Sequence, residues 1–426
     1  MNNHIKKMLH LKDENLILTN VEEKIFKEKQ TIIISGIYSP EQSFCHHCDS
    51  NEIVKNGKKE VTIRLADYQY LPTILKLKKQ RFYCKNCHQH TTAQSPIVEK
   101  RARISRLVKL QILHLLKEKV SLTFIAKQCR VSITTVIRLL QSVETQLPKQ
   151  LHPRTFPKVL MVDEFRSHAS YEDKMSFICA DGQSGELVDI LPSRKLEKIS
   201  AYFLRSPIEK RKKVAFLVTD MNAAYFQLTK KVFPNALVII DRFHIVKQLN
   251  QALNDLRVKE MKRLTQKKKK AEARKLKSNW KILLKNQNDV SISVFKKWRS
   301  FPAPKYPLLT EAMVIDRLLA FSDSLKEAYE VFQSLLYHFK NKDGAAFFEQ
   351  IRQLPDSLDD AFKTKLQNLL LYEEGIRNAL IYPFSNGKIE AKNTHIKTLK
   401  RVSYGFKSFT NMRTRIFMMN GLITIK

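Results

Sequence analysis

Lys158-Val-Leu-Met-Val-Asp-Glu-Phe165, Val214-Ala-Phe-Leu-Val-Thr-Asp220 and Leu237-Val-Ile-Ile-Asp241 are three almost wholly apolar runs, and each reaches an aspartate at or near its end. Strands this apolar are covered on both faces, because a half-solvated strand alternates apolar with polar residues. Between the first two runs, Met175 to Ala180 and Glu186 to Leu191 flank the Asp181-Gly182 turn as a hairpin pair, and Leu196 to Leu204 has helical spacing. Asn222 to Lys231 is helical as well, so the order is βββαβαβ and the core is α/β. One acid closing a strand is usually a turn former or a helix cap. Asp163, Asp220 and Asp241 closing three strands of one sheet point instead to chemistry. If the first and fourth strands are neighbours in a mixed sheet, Asp163 and Asp220 lie side by side, and their repulsion calls for a cation. Two Mg²⁺ ions about 3.5–4 Å apart are the common device for phosphodiester chemistry, one at the attacking and one at the leaving oxygen. A nucleic-acid backbone is the expected substrate.

A third carboxylate is found far downstream, in Ser385-Asn-Gly-Lys-Ile-Glu-Ala-Lys-Asn-Thr-His-Ile-Lys-Thr-Leu-Lys-Arg401. Ser385 is the predicted N-cap of a helix that carries Glu390 in its first turn, with Asn393, Thr394, Lys397 and Arg401 along the same face. From Asn386 to Arg415 eight Lys or Arg accompany one Glu. A single Glu in such a helix is ordinarily a solvated charge or an ion-pair partner. Metal ligation would explain one carboxylate among side chains otherwise suited to phosphates. Glu164, by the alternation of a strand, points to the face opposite Asp163, so its Gln variant is expected to keep much more activity than the triad variants.

Upstream, Cys45-His-His-Cys48 and Cys84-Lys-Asn-Cys87 are two knuckles separated by 35 residues. A two-residue spacer lets both thiolates reach one ion, so Cys45, Cys48, Cys84 and Cys87 form a predicted tetrahedral site for one structural zinc, with a redox pair or disulfides as the competing reading. His46, His47, His88 and His90 are possible substitute ligands, though a His beside a Cys knuckle is more often a bystander or phosphate contact, and Cys129 and Cys179 stand alone. Val61 to Leu65 and Leu75 to Tyr83 alternate apolar with polar or basic residues, which gives a zinc-stapled β ribbon with a basic face. From Ile104 the spacing becomes helical. The segment from Ser121 to Leu140 then reads as helix, tight turn, helix, with Ala126 small at the crossing, Val131 in the turn and Ser132 capping the second helix. An ordinary helical hairpin has the same pattern. As a DNA reader, the second helix would present Thr134, Thr135 and Arg138 to a major groove. Leu147 to Pro157, with three prolines, is the predicted linker.

The whole chain of 426 residues carries 76 Lys or Arg against 41 Asp or Glu, a net charge of +35 that favours a polyanionic partner. The basic residues are spread along the chain, not gathered on one amphipathic helix, so duplex DNA fits better than anionic lipid. No run of about 18 apolar residues is present, and the amino terminus has no apolar stretch before a cleavage site. The expectation is no membrane partner and a cytoplasmic, nucleoid-associated location. Between Asp241 and Ser385 the pattern is amphipathic and helical. Gln251 to Ser300 has 16 Lys or Arg and four Asp or Glu, including the Gln266-Lys270 run and both tryptophans, Trp280 and Trp298. That stretch is either a solvated helical hairpin or an insertion that grips DNA. Tyr329, Phe332, Phe347 and Phe348 are expected in helix packing.

These motifs, in this order, resemble the DDE transposases of bacterial insertion sequences, in particular the ISL-three family. The resemblance rests on the CxxC pair, Val162-Asp163-Glu164, Thr219-Asp220-Met221-Asn222 with Tyr225, Asp241-Arg242-Phe243-His244, and Ser385 to Asn393 running on to Lys400-Arg401 and Tyr404-Gly405-Phe406. It covers nearly the whole chain. It implies a ribonuclease H-like catalytic core with a large α-helical insertion, preceded by a zinc-binding β module and a helix-turn-helix. The implied triad is Asp163, Asp220 and Glu390, holding two Mg²⁺ for which Mn²⁺ can substitute, with Asp241 and His244 as additional catalytic or orienting residues. Lys397 and Arg401 are implied DNA contacts beside Thr134, Thr135 and Arg138. The expected divisions are 1–98 for the zinc module, 99–150 for the helix-turn-helix, 157–245 with 385–426 for the catalytic domain, and 246–384 for the insertion. The implied activity is binding of terminal inverted repeats, cleavage at the element ends and strand transfer into target DNA, by a homodimer or higher oligomer. A non-catalytic DNA-binding regulator and a metal-dependent structure-specific nuclease are the alternatives.

Overall fold

The computed structural model describes residues 2–11, 13–146, 155–167 and 173–423; residues 147–154 of the predicted linker lie outside them. The chain divides into two compact units, 1–151 with 395–426, and 152–394.

In the first unit, strands β1 (Leu16–Phe26), β2 (Lys29–Tyr38), β3 (Ile53–Arg64), β4 (Thr73–Cys84) and β5 (His90–Thr92) form one sheet in the order β1-β2-β4-β3, with β5 also on β4. The β1–β2 hairpin turns on Lys27 and Glu28, both in the left-handed region at φ 51° and 65°, the conformation a two-residue hairpin requires. β3 and β4 pair antiparallel with Val61 opposite Leu77 and Ile63 opposite Leu75. Leu16, Ile34, Ile63, Leu75 and Leu77 are buried in the core of this sheet. The ribbon expected between the cysteine knuckles is therefore only part of a larger sheet. The hairpin at its other side was not legible, since Thr31-Ile-Ile-Ile34 is a continuous apolar run and β1 is an irregular edge strand.

Three helices follow, Arg106–Leu115, Leu122–Gln128 and Ile133–Gln146. Each starts on a serine whose Oγ accepts a backbone N–H: Ser105 from Val108 at 3.3 Å, Ser121 from Phe124 at 3.0 Å and Ser132 from Thr135 at 3.2 Å. These caps satisfy amides that the helix itself leaves free. Ile112, Ile125, Ala126, Val136 and Leu140 pack together between the helices, and Met418 of the carboxy-terminal helix Phe409–Met419 joins the same core.

The second unit holds β6 (Val159–Arg166), β7 (Met175–Asp181), β8 (Leu187–Leu191), β9 (Phe216–Thr219) and β10 (Leu237–Ile240), in the order β10-β9-β6-β7-β8. β6 pairs parallel with β9 and β9 with β10, while β7 and β8 run antiparallel. This is the ribonuclease H-like arrangement, and the first and fourth strands are neighbours as expected. Helices Leu196–Leu204 and Ala223–Val232 cover one face through Ile199, Phe203, Tyr225 and Leu228, packed on Leu160, Val162 and Phe177.

From β10 the chain passes directly into the 25-residue helix Arg242–Gln266 and on through Lys270–Ser278, Glu311–Leu319, Asp323–Lys340, Gly344–Arg352 and Asp360–Gln367. Phe332, Phe347 and Phe348 are buried and Tyr329 is half-buried, in agreement with their reading as packing residues. The helix Glu373–Ile381 then lies on β10. A Cβ on Gly375 would stand 3.0 Å from the Ile240 and Phe226 side chains, so glycine lets the helix come this close. The helix Gly387–Val402 follows. It begins at Asn386, whose carbonyl accepts from the Ile389 and Glu390 amides. Ser385 is therefore not its cap.

Candidate active site

The strand pairing brings the first two acids together. Two residues beyond the last paired residues of β6 and β9, Met161 and Val218, stand Asp163 and Asp220. Asp163 Oδ1 accepts from the Glu164 amide at 2.7 Å, and Oδ2 accepts from Asn393 Nδ2 at 2.7 Å. Burial pushes the Asp163 carboxyl up to about 6, against the Glu164 amide and His244; the charges of Asp220 and Glu390 push it further the same way. Burial also raises Asp220, with Glu164 adding to the effect and His244 opposing it. Burial and neighbouring negative charge both disfavour the ionised form of these acids, and a cation beside them would relieve that.

Glu390 reaches the sheet on the helix Gly387–Val402. Asp241, only 3% exposed, precedes the helix Arg242–Gln266; its Oδ1 accepts from the Asn386 amide at 3.1 Å and its Oδ2 faces His244 Nδ1 at 3.3 Å. The bond with Asp241 raises His244 above the ordinary histidine value. Asp241, His244 and Glu390 each offer a ligand atom within 4.8 Å of the others. Arg242 secures the returning chain, donating from Nε to the Ala379 carbonyl at 2.8 Å and from Nη2 to that of Tyr382 at 2.7 Å. Asn386 Nδ2 donates to the Val162 carbonyl at 3.2 Å, one residue before Asp163.

Asn386 and Asn393 were legible as members of a motif, but their part in tying the Glu390 helix to β6 was not. Their spacing of seven residues puts both on one side of the helix start. Each is buried, and each keeps an Oδ1 without a hydrogen-bond partner among the described residues. Two orphaned amide oxygens beside three acids fit an oxygen-liganded divalent ion, directly or through water.

Glu164, on the opposite face of the strand from Asp163, makes contacts of its own. It accepts from Tyr225 Oη at 3.0 Å, Asn222 Nδ2 at 3.2 Å and Arg194 Nη1 at 2.8 Å. Asn222 also caps the helix that follows Asp220 by accepting the Ala224 amide at 3.0 Å. Glu164 thus braces the loop that holds Asp220. Alternation describes which face a side chain takes, and it is silent on what meets it there.

The four knuckle cysteines come together, with Cys45 Sγ 3.6 Å from Cys87 Sγ and Cys48 Sγ 3.6 Å from Cys84 Sγ. Tetrahedral zinc with sulfur ligands at about 2.3 Å requires sulfurs about 3.8 Å apart, so the set fits one structural zinc. The Cys87 and Asn86 amides lower Cys84 to about 7, toward the thiolate that a metal needs. The histidines take other partners: His88 Nδ1 bonds Tyr83 Oη at 2.8 Å, His90 Nδ1 faces Asn56 Nδ2 at 3.3 Å, and His46 packs edge-on against Phe44. Cys129 and Cys179 are buried thiols outside any disulfide, and Cys179 Sγ donates to the Asp189 carbonyl at 3.6 Å.

On the third helix of the first unit Thr134 and Arg138 are exposed, whereas Thr135 is half-buried with its hydroxyl on Ser132 at 2.9 Å. Lys397 and Arg401 are exposed on the Gly387–Val402 helix. Among the described residues no helix is long and apolar enough to cross a membrane.

A family described as a transposase matches residues 160–416, more than half of the chain. Residues 41–87 match the zinc-finger of transposase IS204/IS1001/IS1096/IS1165, and residues 93–143 match the helix-turn-helix domain of transposase family ISL3. The chain belongs to the ISL3 transposase family. It is 24% identical over 249 residues to the transposase for insertion sequence element IS1001 of Bordetella parapertussis, which covers 58% of this chain and 57% of that protein. It is also 39% identical over 113 residues to a Lactococcus lactis subsp. lactis protein named ATP-dependent protease, covering 26% of this chain and 36% of that one. The chain thus spans somewhat over half of the first of these relatives and about a third of the second.

Proposed function

We propose that this chain is the working transposase of an insertion sequence: it binds the terminal inverted repeats, cleaves a phosphodiester at each end, and joins the freed 3′-hydroxyl to target DNA. The observation that carries this reading is that Asp163 and Asp220 stand at matching positions beyond adjacent parallel strands, with Glu390, from a helix that returns after the long helical excursion, near enough for its charge to act on Asp163. Asp163, Asp220 and Glu390 would hold two Mg²⁺, or Mn²⁺ in their place. When bound, the ions supply Lewis-acid stabilisation of charge on the attacking and leaving oxygens.

The protein's own contribution is position. Asn393 holds Asp163, and Glu164 with Asn222 and Tyr225 holds the Asp220 loop. Asp241 receives the Asn386 amide and so sets where the Glu390 helix begins, while it turns the His244 ring by its Nδ1. We read Asp241 as a positioning residue, because it joins the Asn386 amide at the start of the Glu390 helix to the His244 ring, and His244 as a group whose pKa is raised by its bond with Asp241. Thr134, Arg138, Lys397 and Arg401 are the side chains we assign to DNA, with Thr135 serving mainly the Ser132 turn. The two ends of an element call for at least two copies of the chain. The sequence has no G-x-x-x-x-G-K-[ST] loop for a nucleotide, so the name of the Lactococcus relative does not guide the reading.

The test is Mg²⁺-dependent cleavage and joining of labelled terminal-repeat DNA. Asp163→Asn, Asp220→Asn and Glu390→Gln are each expected to abolish both steps and leave repeat binding in place, since the amides are nearly isosteric. Glu164→Gln should lower the rate without abolishing it. Cleavage without joining would make the chain a nuclease, and binding indifferent to metal with no cleavage would make it a regulator. A Glu390→Gln protein that cuts at the wild-type rate would overturn the triad.

A further inference from the structure

One surface of the helical region takes no part in the site above. Between the short helix Trp280–Leu283 and the helix Glu311–Leu319 the chain has only one turn of 3₁₀ helix, Gln287–Asp289, yet it is firmly braced. Lys296 and Leu309 exchange backbone bonds at 3.2 and 3.1 Å, and Trp298 Nε1 donates to the Leu309 carbonyl at 2.9 Å. Phe301 is buried with Lys275 Nζ 4.6 Å from its ring centre. At the base, the Glu311 carboxylate accepts from Lys285 Nζ at 2.7 Å, Lys296 Nζ at 3.1 Å and the Ser291 amide at 3.2 Å.

This base holds an apolar tip in water. Ile292, Val294 and Phe295 are 76%, 61% and 54% exposed, and Leu308 is 47% exposed. A loop that merely lacked a core would have no reason to be pinned at so many points while it presents these side chains, so the tip is fitted to a partner. The charge around it specifies which. From Ser291 to Leu309 the sequence contains Lys296, Lys297, Arg299 and Lys305 and no Asp or Glu, and Lys297, Arg299 and Lys305 are exposed. A rim of cations alone around an aromatic and aliphatic tip suits a polyanion with apolar faces, and nucleic acid with unstacked bases has both.

We propose that the loop 291–309 is a wedge that engages unpaired or unstacked bases of DNA, with base faces on Phe295 and its aliphatic neighbours and phosphates on Lys297 and Arg299. The proposal rests on DNA being the substrate and adds the form of DNA that this region takes.

The full chain is titrated, at one fixed salt concentration, with a blunt terminal-repeat duplex and with the same duplex splayed at one end and carrying 2-aminopurine among the unpaired bases. Wild type should prefer the splayed DNA by roughly five- to a hundredfold, the range of one stacked base, and quench the 2-aminopurine. Phe295→Ala, and separately Ile292→Ser with Val294→Ser, should bring that preference close to unity while affinity for the blunt duplex is kept; Phe295→Trp should retain it. These side chains are exposed, so an unchanged melting temperature serves as the check on folding. Equal affinity of wild type for both DNAs, or a preference that survives both sets of substitutions, overturns the wedge and leaves the DNA reading standing. A wild-type chain that binds neither DNA overturns the DNA reading itself. Substitutions that change the sedimentation of the free protein and leave the preference intact would make the tip a protein contact and overturn the wedge.

Discussion

Arg415, eleven residues before the end of the chain, is fully buried, and among the described residues its hydrogen-bond partners include no carboxylate. Nε donates to the Leu116 carbonyl at 3.3 Å, Nη2 to those of Glu118 at 2.9 Å and Val120, and Nη1 to Ser403 Oγ at 3.3 Å. Leu116 is the C-cap of the helix Arg106–Leu115, and Glu118 and Val120 lie in the turn that leads on to Leu122, so Arg415 supplies donors to carbonyls that no helix satisfies. Burial lowers the guanidinium from its ordinary value to about 10, which corresponds to about 3 kcal/mol against the charged form, and it remains charged at neutral pH. Arg415→Met keeps much of the volume and relieves that penalty, but leaves three carbonyls without a donor at about 2 kcal/mol each. The net loss is about 3 kcal/mol, and Arg415→Lys should fall between. In hydrogen exchange read by mass spectrometry, amides of 106–146 that exchange by opening of this bundle should exchange about a hundredfold faster at that loss, while the strands β6 to β10 keep their protection. Terminal-repeat binding should weaken in parallel. Unchanged exchange in 106–146 would refute the argument that the carboxy-terminal helix supports these helices.

Cys84→Ser should lose the zinc that wild type holds at about one per chain and loosen the amino-terminal sheet; full zinc content in that variant would refute the four-cysteine site. DNA affinity should fall steeply with salt, with a logarithmic slope of about −0.9 per phosphate contact, and Arg138→Ala should weaken repeat DNA more than random DNA; a flat titration or an equal loss would contradict the groove-reading assignment. For the metal-free protein the sign of the pH effect follows from Asp163, raised by burial from 3.8 to about 6. The folded state holds that proton more tightly than the unfolded state, so this contribution is present below 3.8 and lost as pH rises through about 6. In EDTA, Asp163→Asn should therefore match wild type near pH 3.5 and exceed it above pH 6 by up to about 3 kcal/mol; parallel stability curves across that range would count against the burial argument.

The sequence by itself determined what local periodicity and spacing can carry. The apolar runs that meet Asp163, Asp220 and Asp241, the hairpin about Asp181-Gly182 and the serine-capped helices after Ser105, Ser121 and Ser132 depend on residues within a few positions of one another. So does each CxxC knuckle, and a single tetrahedral ion leaves little freedom in how two knuckles combine. Tertiary structure alone decided how distant segments meet. It put the Asn386 amide on Asp241, Asn393 on Asp163, Tyr225 on Glu164, and Arg415 on the carbonyls of 116, 118 and 120. It also showed that the ribbon between the knuckles belongs to a sheet with a further hairpin, β1–β2. The separations explain the difference. Asp163 and Asn393 are 230 residues apart, and Leu116 and Arg415 are 299, so whether they touch depends on the packing of every element between them. A hydrogen bond made across such a span leaves no periodic mark in the sequence; it exists only once the core has brought its donor and acceptor to the same place.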